Sequence, residues 1–276
     1  MPAAPTNRER ARLAADCLEI ADRAASVALR GFRARPNVRA KSARDLVTEF
    51  DLASQELALA LLAERHPGVP VVAEEGASAA IDPGPGLAFA VDPIDGTTNF
   101  AHGHPIWCVS IGMLWDGVPL GGAVVAPAIA TRLHGHAGSG GDGGQVFRNG
   151  EPCGPSATAS LGEALIATGF PPTRDTRPDN NFDSFMAVKR RCLAVRRCGA
   201  AAIDLCFVAD GTYDAYWERR LKLWDLAAGA GLVLAGGGRI TALDGSAPRY
   251  AAGHIAVSNG RFHEALTTAI GTRDDA

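Results

Sequence analysis

The sequence has little net charge of either sign. Its 276 residues include 27 Lys and Arg against 30 Asp and Glu, which gives a formal net charge of −3. A protein that follows a nucleic-acid backbone needs a broad basic surface to neutralise the phosphates. We therefore expect no nucleic-acid partner.

Paired cysteines and long apolar runs are also missing. The six cysteines are scattered without a Cys-x-x-Cys pair, which excludes a zinc ribbon or a disulfide scaffold. The longest charge-free stretch, Gly96 to Trp115, is broken by polar residues and Pro105, so it does not suit a membrane span. No apolar signal-peptide core follows the arginines near the N-terminus. These absences predict a cytoplasmic protein without a membrane partner.

The residues that are present can form a sizeable core, because 47% are hydrophobic and 21% are charged. The length allows one large domain or two fused lobes. In the first half, two amphipathic helices precede short β-rich runs that predict a meandering antiparallel sheet. The predicted helices lie at 8–32 and 52–66, and the predicted strands at 69–73, 87–91, 107–114, 121–125, 131–136 and 145–147.

Beyond Pro155 the pattern changes, and strand-like pieces alternate with helix-like pieces, as is typical of an α/β unit. The predicted strands lie at 164–168, 194–198, 213–217, 239–243 and 255–258, and the predicted helices at 182–191, 200–209, 226–235 and 262–270. We place a boundary near residue 155, between an N-terminal α+β lobe (1–155) and a C-terminal α/β lobe (156–276).

The most informative part of the sequence is the end of the predicted strand at 87–91. Asp92 and Asp95 follow this apolar run, with Pro93 in the turn between them. Carboxylates crowded at a strand end suit a hard cation such as Mg²⁺. Because Gly96 has no side chain, the N–H groups of Gly96 and Thr97 can approach a phosphate oxygen closely. A metal ion and a phosphate can thus share one turn.

Other acidic residues fit this interpretation. Glu74 and Glu75 close a predicted strand, and since adjacent side chains point to opposite faces, we expect only one of them to bind metal. Asp51 and Asp225 each begin a predicted helix, where a simple capping role is the alternative. If these residues converge on one small cavity, about five carboxylates repel one another, and we then expect the site without a cation to be loosely ordered or partly protonated.

Taken together, these strings resemble the inositol monophosphatase family of Mg²⁺-dependent, lithium-sensitive sugar phosphatases. The resemblance extends from about Lys41 to Asn259. Its most specific strings are Asp92-Pro-Ile-Asp-Gly-Thr-Thr-Asn-Phe100 and Trp224-Asp-Leu-Ala-Ala-Gly229. The supporting strings are Asp45-Leu-Val-Thr-Glu-Phe-Asp51, Glu74-Glu75-Gly76 and Gly199-Ala-Ala-Ala202.

The resemblance implies the residues of an active site. The implied metal ligands, for about two or three Mg²⁺ ions, are Glu74, Asp92, the Ile94 carbonyl, Asp95 and Asp225. The implied catalytic residues, which position the attacking water, are Asp51, Glu74 and Thr97. The implied substrate contacts are Asp95, Gly96, Thr97, Thr98, Gly199, the backbone near Ala201, and Glu218.

The resemblance also implies a fold and a reaction. The fold is a layered αβαβα sandwich of the inositol monophosphatase and fructose-1,6-bisphosphatase type, with the site between the lobes and a homodimer as the assembly. The reaction is Mg²⁺-dependent hydrolysis of a small phosphorylated polyol or amino alcohol, with inositol 1-phosphate favoured. Histidinol phosphate is the nearest alternative, since Glu218 can equally pair with a substrate ammonium. Fructose 1,6-bisphosphate is a third, and a catalytically silent scaffold or regulatory protein is the alternative outside enzymes.

Three sequence features leave substrate choice open. Many relatives carry Gly-Ser/Thr-Ala where this chain has Gly199-Ala200-Ala201, so a side-chain hydroxyl near the substrate is missing. The segment 171–181 aligns with no known specificity loop. Among the basic runs, Arg196 and Arg197 are interpreted as a solvated face or subunit contact, whereas Arg219 and Lys222 lie close enough to Glu218 in sequence to attract a phosphorylated substrate.

Overall fold

The structure is a computed structural model that describes residues 3–34, 36–42, 45–80, 82–139 and 143–271. The described residues form two large sheets, a separate hairpin and seven α-helices. None of these helices combines the length and the apolar composition that a membrane span requires.

The larger sheet has seven strands in the order β3-β4-β5-β6-β7-β8-β9. These strands are β3 (Val71–Ala73), β4 (Leu87–Asp95), β5 (Cys108–Trp115), β6 (Val118–Ala126), β7 (Thr131–His136), β8 (Gln145–Arg148) and β9 (Glu151–Pro152). From β4 onward the strands form the predicted antiparallel meander. The prediction is wrong for β3, which pairs with β4 in parallel because the chain between them crosses back to the same end of the sheet.

The smaller sheet has five strands in the order β11-β10-β12-β14-β13. These are β10 (Leu165–Thr168), β11 (Ala194–Arg196), β12 (Ala215–Glu218), β13 (Arg239–Thr241) and β14 (Ile255–Ser258). The first three strands in the chain are mutually parallel, as the predicted α/β pattern requires, and β14 then pairs antiparallel with both β12 and β13.

The helices begin and end close to the predicted positions. They are α1 (Asn7–Gly31), α2 (Glu49–Arg65), α3 (Thr97–Ala101), α4 (Phe182–Lys189), α5 (Ala201–Ala209), α6 (Leu223–Ala235) and α7 (His263–Ile270). The short α3 and the hairpin of β1 (Val38–Ser42) and β2 (Asp45–Thr48) were not predicted. Every residue of β1 is exposed, so this strand lacks the apolar alternation that marks a strand in sequence.

Alternating side chains along the strands produce the layers. In β4, Phe89 and Val91 pack with α1 and α2 on one face, whereas Ala88 and Ala90 pack against Ala227 of α6 on the other. In the smaller sheet, Tyr216 faces the layer of α5 and α6, and its neighbours face α4 and α7. The order of layers is thus helices, seven-stranded sheet, helices, five-stranded sheet, helices, which confirms the predicted αβαβα sandwich.

Glycines let α6 lie very close to the larger sheet. A Cβ atom at Gly112 of β5 would stand 2.6 Å from the Cβ of Ala227, and one at Gly231 would stand 2.1 Å from the backbone N of Gly121. This close packing fixes the N-terminal end of α6, which carries Asp225, against the end of β4. The last strand of the larger sheet ends at Pro152 and the first strand of the smaller sheet begins at Leu165, so the predicted boundary near residue 155 lies between the two sheets in the chain. The division into lobes 1–155 and 156–276 stays a prediction.

Candidate active site

One cavity of about 680 Å³ contains almost the whole predicted site. The predicted residues that line it are Glu74, Asp92, Ile94, Asp95, Gly96, Thr97, Thr98, Gly199, Ala201, Glu218 and Asp225. Asp51 lies behind this wall, fully buried, and its Oδ1 is 3.2 Å from the Oγ1 of Thr97. The fold therefore brings together side chains from five separate parts of the chain.

The end of β4 is irregular, and this irregularity places its two aspartates. Asp92 pairs with Ser110 of β5, but Asp95 pairs with Cys108, so β4 contains one extra residue in this interval. Such a bulge redirects the side chains that follow it. The Oδ1 of Asp92 accepts a hydrogen bond from the N–H of Ile94 at 3.1 Å, which closes the turn through Pro93.

Asp95 links the end of β4 to the start of helix α5. Its Oδ2 accepts a hydrogen bond from the N–H of Ala202, in the first turn of α5, at 2.7 Å. Burial raises the pKa of Asp95 to about 7, although the hydrogen bond from Ala202 lowers it. The β4 turn is thereby attached to the helix that begins next to Gly199 and Ala201.

Gly96 must be a glycine at this turn. Its φ is 88°, in the left-handed region, and a Cβ atom here would stand 3.1 Å from the carbonyl oxygen of Ile106 and 3.2 Å from the Cβ of Ala200. The N–H groups of Gly96 and Thr97 lie at the start of α3, where a helix has no carbonyl partners of its own for its first N–H groups.

Asp51 caps a helix and also contacts the cavity-lining residue Thr97. As the third residue of α2 it caps the helix, because its Oδ2 accepts hydrogen bonds from the N–H and Oγ1 of Thr48 at 2.8 and 2.5 Å. Its other oxygen faces the Oγ1 of Thr97, which also lies 3.0 Å from the carbonyl oxygen of Ile94. Burial raises the pKa of Asp51 to about 6, against these hydrogen bonds.

Of the two adjacent glutamates, only Glu74 lines the cavity, in agreement with the prediction that one of them faces the site. Glu75 turns toward α2, where its N–H donates to the Oε1 of Gln55 at 2.9 Å and its carbonyl oxygen accepts from the Nε2. The Nζ of Lys41 lies 2.7 Å from Glu74 Oε1 and 2.5 Å from Glu75 Oε1. A cation from the β1–β2 hairpin thus stands at the edge of the acidic cluster.

Asp225 also combines a local and a site role. Its Oδ2 accepts a hydrogen bond from the N–H of Lys222 at 2.7 Å, which caps the first turn of α6, while the side chain lines the cavity. Burial and then the nearby charge of Asp95 raise its pKa to about 7. The N-cap residue is Lys222 and Asp225 is the third residue of the helix, so the alternative of a capping role is met only in this form, and it does not exclude Asp225 from the cavity.

The carboxyl groups of the site are buried close to one another, which favours their protonated forms. Burial raises the pKa of Asp92 well above its usual range, and the charges of Glu74, Asp95 and Asp225 raise it further. Burial raises the pKa of Glu74 to about 7 in spite of Lys41. Within the described residues, no three carboxyl, imidazole or thiol groups stand in a ready-made metal cage. A metal ion that binds these carboxyl groups must displace their protons.

Glu218 lines the same cavity from the end of β12, in the smaller sheet. Its Oε2 accepts a hydrogen bond from the phenol of Tyr216, which is fully buried. Gly169 leaves the necessary space, because a Cβ atom there would stand 2.0 Å from Glu218 Oε2. Burial raises the pKa of Glu218 to about 7, while the hydrogen bond from Tyr216 lowers it.

Several lining residues were not predicted. They are Leu46, Asn99, Gly169, Phe170, Pro172, Arg174, Arg197, Ala200 and Leu221. Arg197 is exposed, as its interpretation as part of a solvated face expects, but it also lines the cavity, whereas Arg219 and Lys222 do not line it. Arg219 is instead buried, and its Nη2 donates to the Oγ of Ser184.

A topological signal for some of these residues was available. Strands β10, β11 and β12 are parallel neighbours, so their carboxyl ends meet at one edge of the sheet. Gly169 follows β10, Arg197 follows β11, and Glu218 ends β12. The alternating pattern of strands and helices indicated this edge, but it did not reveal which strands are adjacent.

Comparison with known proteins finds similarity over most of the chain. The model of the inositol monophosphatase family matches residues 10–274. The inositol-1-monophosphatase of Synechocystis sp. is 39% identical over 228 residues, which are 83% of this chain and 77% of that relative. A Pseudomonas aeruginosa protein named Nus factor SuhB is 39% identical over 238 residues, which are 85% of this chain and 86% of that relative. The structure of inositol monophosphatase from Anabaena (Nostoc) sp. has a TM-score of 0.81 at 34% identity and covers 95% of this chain and 96% of its own.

Proposed function

The chain belongs to the inositol monophosphatase family and is a phosphoric monoester hydrolase, and we propose that it hydrolyses inositol 1-phosphate to myo-inositol and phosphate. One observation supports this substrate most directly. The cavity combines a cluster of acidic residues around Asp92, at the end of a strand of the larger sheet, with a further carboxylate, Glu218, at the end of a strand of the smaller sheet. Its volume of about 680 Å³ suits a ligand of the size of a phosphorylated sugar ring.

The donor set of the acidic cluster fits Mg²⁺. The groups are four carboxyls, of Glu74, Asp92, Asp95 and Asp225, together with the carbonyl of Ile94, and oxygen donors of this kind are those that Mg²⁺ prefers. The upward pKa shifts of these carboxyls reflect negative charge held in a buried space, which a bound cation relieves. We propose that these residues hold about two or three Mg²⁺ ions and that the enzyme is sensitive to lithium.

When bound, Mg²⁺ supplies a more acidic water molecule and neutralises the charge that develops on the leaving alcohol. The chain positions that water through Asp51, Thr97 and Glu74. With its own proton directed to Asp51, the Thr97 hydroxyl can accept a hydrogen bond from the water. The burial of Asp51 keeps this pair fixed.

The chain also binds the two halves of the ester. The N–H groups of Gly96 and Thr97 point to the phosphate, and the exposed hydroxyl of Thr98 lies beside them. The alcohol lies against Asp95, Gly199, the backbone at Ala201, and Glu218. At Ala200 the cavity wall presents a methyl group, so no hydroxyl at that position contacts the polyol.

Histidinol phosphate is the competing substrate. The carboxylate of Glu218 can accept hydrogen bonds from sugar hydroxyls or pair with an ammonium group. Fructose 1,6-bisphosphate is a third candidate. All the implied acidic metal ligands and Glu218 line the cavity, and Asp51 lies directly behind its wall, which weighs against a catalytically silent scaffold.

One assay distinguishes these substrates. Steady-state kcat/KM is measured with Mg²⁺ on inositol 1-phosphate, histidinol phosphate, fructose 1,6-bisphosphate and adenosine 3′,5′-bisphosphate, and we expect inositol 1-phosphate to give the highest value. A preference for histidinol phosphate of more than about tenfold, or roughly 1.4 kcal/mol, would make the polyol proposal wrong. The same assay in EDTA should show loss of activity and recovery on addition of Mg²⁺, and full activity in EDTA contradicts the metal proposal.

We also propose a cytoplasmic homodimer whose partners are small phosphorylated molecules, without nucleic acid or membrane partners. All six cysteines lie in the described part of the chain and are free thiols, as suits a reducing compartment. The mass in solution, measured by light scattering after size exclusion, tests the dimer, which predicts twice the chain mass of 28.6 kDa.

A further inference from the structure

A buried amide side chain bridges the ends of two strands beside the cavity. Asn181, which immediately precedes α4, is only 3% exposed. Its Nδ2 donates hydrogen bonds to the Oγ1 of Thr168 at 2.9 Å and to the carbonyl oxygen of Gly169 at 2.6 Å. Its Oδ1 accepts a hydrogen bond from the Nε1 of Trp217 at 2.7 Å. One side chain thus connects the carboxyl end of β10 to the residue of β12 that precedes Glu218.

These hydrogen bonds form a closed ring. The Oγ1 of Thr168 donates in turn to the carbonyl oxygen of Trp217 at 2.6 Å, so the ring passes from Trp217 through Asn181 and Thr168 and returns to Trp217. The ring uses both the N–H donors and the oxygen of the amide, a combination that an aspartate or a leucine of similar size does not offer. It adds side-chain hydrogen bonds to the parallel pairing of β10 and β12 at the end of the sheet where the cavity lies.

Asparagine at the start of a helix commonly caps that helix, but Asn181 does not. Its side chain makes no capping hydrogen bond, and the N–H of Phe182 donates instead to the Oδ1 of Asn180 at 3.1 Å. The backbone of Asn181 is left-handed, with a φ of 76°, a conformation that asparagine adopts more readily than most residues. The amide therefore serves the two strand ends and not α4.

The ring lies next to the tightest packing around Glu218. A Cβ atom on Gly169 would stand 2.0 Å from the Oε2 of Glu218, so the backbone of Gly169 packs directly against this carboxylate. Asn181 holds the carbonyl of Gly169 on one strand and the indole of Trp217 on the other. Trp217 and Tyr216 belong to the cores on opposite faces of β12, so the strand that carries Glu218 is held from both faces. Asn181 itself does not line the cavity.

We propose that Asn181 is a positioning residue for the alcohol half of the substrate, because its amide sets the spacing between the ends of β10 and β12 and thereby the place of Glu218. The inference rests on the proposed function, in which Glu218 contacts the alcohol. Loss of the amide leaves the Nε1 of Trp217 and the carbonyl of Gly169 buried without these partners, so the two strand ends must shift to find others. Asp92 and Asp95 lie in the larger sheet, so we expect phosphate binding and turnover to be retained.

Asn181→Gly deletes the amide and introduces a residue that tolerates the left-handed backbone. The variant is compared with the wild type on whichever of the four esters of the substrate assay gives the highest kcat/KM, and on p-nitrophenyl phosphate, which has no hydroxyl for Glu218. We expect KM for the first ester to rise about fivefold or more and its kcat to stay within about twofold. The KM for p-nitrophenyl phosphate and the inhibition constant of inorganic phosphate should be unchanged.

Thr168→Val is a milder change that tests the same ring, and it does so even if Asn181→Gly folds poorly. It removes the hydroxyl that connects Asn181 to Trp217, so it should raise the same KM without affecting p-nitrophenyl phosphate. The double variant Asn181→Gly/Thr168→Val should lose less than the product of the two single effects, because both changes act through one ring. Effects that multiply contradict a shared ring.

Asn180→Ala is the matched control, because Asn180 is the adjacent asparagine and bonds to Phe182 of α4. It should lower the melting temperature, as loss of a cap does, and leave the KM for both esters unchanged. The proposal is overturned if Asn181→Gly raises KM for both esters alike or for neither, or if Asn180→Ala produces the same selective change. If the wild type hydrolyses none of the esters, the proposed function itself has failed.

Discussion

The phenol of Tyr216 donates a hydrogen bond to the carboxylate of Glu218 from a position with no exposure to solvent. Tyr216 and Glu218 are two residues apart on β12, so their side chains lie on the same face of the strand. The buried residue therefore orients the one that reaches the cavity. Under the proposed function, Tyr216 is a positioning residue for substrate binding, because it contacts Glu218 and does not line the cavity.

Tyr216→Phe should weaken binding of polyol phosphates selectively. Loss of a hydrogen bond to a charged group costs about 1.5–3 kcal/mol, so KM for inositol 1-phosphate should rise roughly tenfold or more while kcat changes little. Hydrolysis of p-nitrophenyl phosphate, which has no hydroxyl for Glu218, should be unchanged. Tyr213→Phe is the control, since Tyr213 contacts Cys198 instead. Equal losses on both esters point to a general structural defect and contradict the positioning role.

Gly169→Ala should displace Glu218. The added methyl would lie 2.0 Å from the Oε2 of Glu218, far inside van der Waals contact, so the carboxylate must move. We expect kcat/KM for inositol 1-phosphate to fall about tenfold or more. Gly162→Ala, where the nearest atom is 3.9 Å away, should have no such effect. Equal activity of the two variants excludes Glu218 from substrate binding.

Asp95→Asn should abolish turnover without unfolding the protein. An asparagine retains an oxygen that accepts the hydrogen bond from Ala202, but it removes the negative charge. We expect a loss in kcat of about 100-fold or more, with an unchanged melting temperature. Asp244→Asn, at an exposed position, provides the control for loss of one carboxylate. Retained activity in Asp95→Asn removes this residue from the proposed metal site.

Gly112→Ala should destabilise the fold by overpacking. The new methyl would stand 2.6 Å from both the Cβ of Ala227 and the backbone N of Ala228, and a helix backbone cannot yield locally. Overpacking of this kind costs about 1–3 kcal/mol. Urea denaturation should show this loss for Gly112→Ala and little change for Gly154→Ala, which has open space around it. A loss below about 0.5 kcal/mol would contradict the close packing of α6 on β5.

His263 should make the protein less stable in mild acid. It is buried, its ring nitrogens are each 2.8 Å from a hydroxyl, of Ser258 and Thr241, and burial lowers its pKa from 6.5 to about 4. Between these two values the unfolded chain binds a proton that the folded protein does not, so stability is complete above pH 6.5 and falls as the pH decreases toward 4. The loss amounts to about 3 kcal/mol at pH 4.

The test compares His263→Gln with the wild type in urea denaturation at pH 7 and pH 5. The site carboxyls have raised pKa values and act in the opposite direction over this range, so the difference between the two proteins isolates the histidine. His263→Gln should lose less stability on acidification, whereas His102→Gln, at an exposed position, should behave like the wild type. Parallel losses in all three proteins would contradict this role.

The sequence was most informative where the residues of the site are neighbours in the chain. Asp92, Asp95, Gly96 and Thr97 are contiguous, so a single string predicted that they share a turn, and the bulge in β4 now shows how. The helices followed from apolar periodicity, which reports burial on one face. The order of strands at the Gly169 and Arg197 edge depends on long-range pairing, which leaves no local trace, and so the position of Arg197 at the cavity was not predicted. The position of Gly169 under Glu218 is likewise a contact across the sheet.

The central layer of the sandwich has a consequence for biosynthesis. Helix α6 begins at Leu223, late in the chain, yet it covers the face of the larger sheet formed by Ala88, Ala90 and Leu114. A nascent chain on the ribosome can form this sheet well before the helix that covers it has been made. During that interval an apolar face remains open to water and to other chains. Synthesis of α6 both covers that face and delivers Asp225, so protection of the chain from aggregation and completion of its acidic cluster occur in the same step.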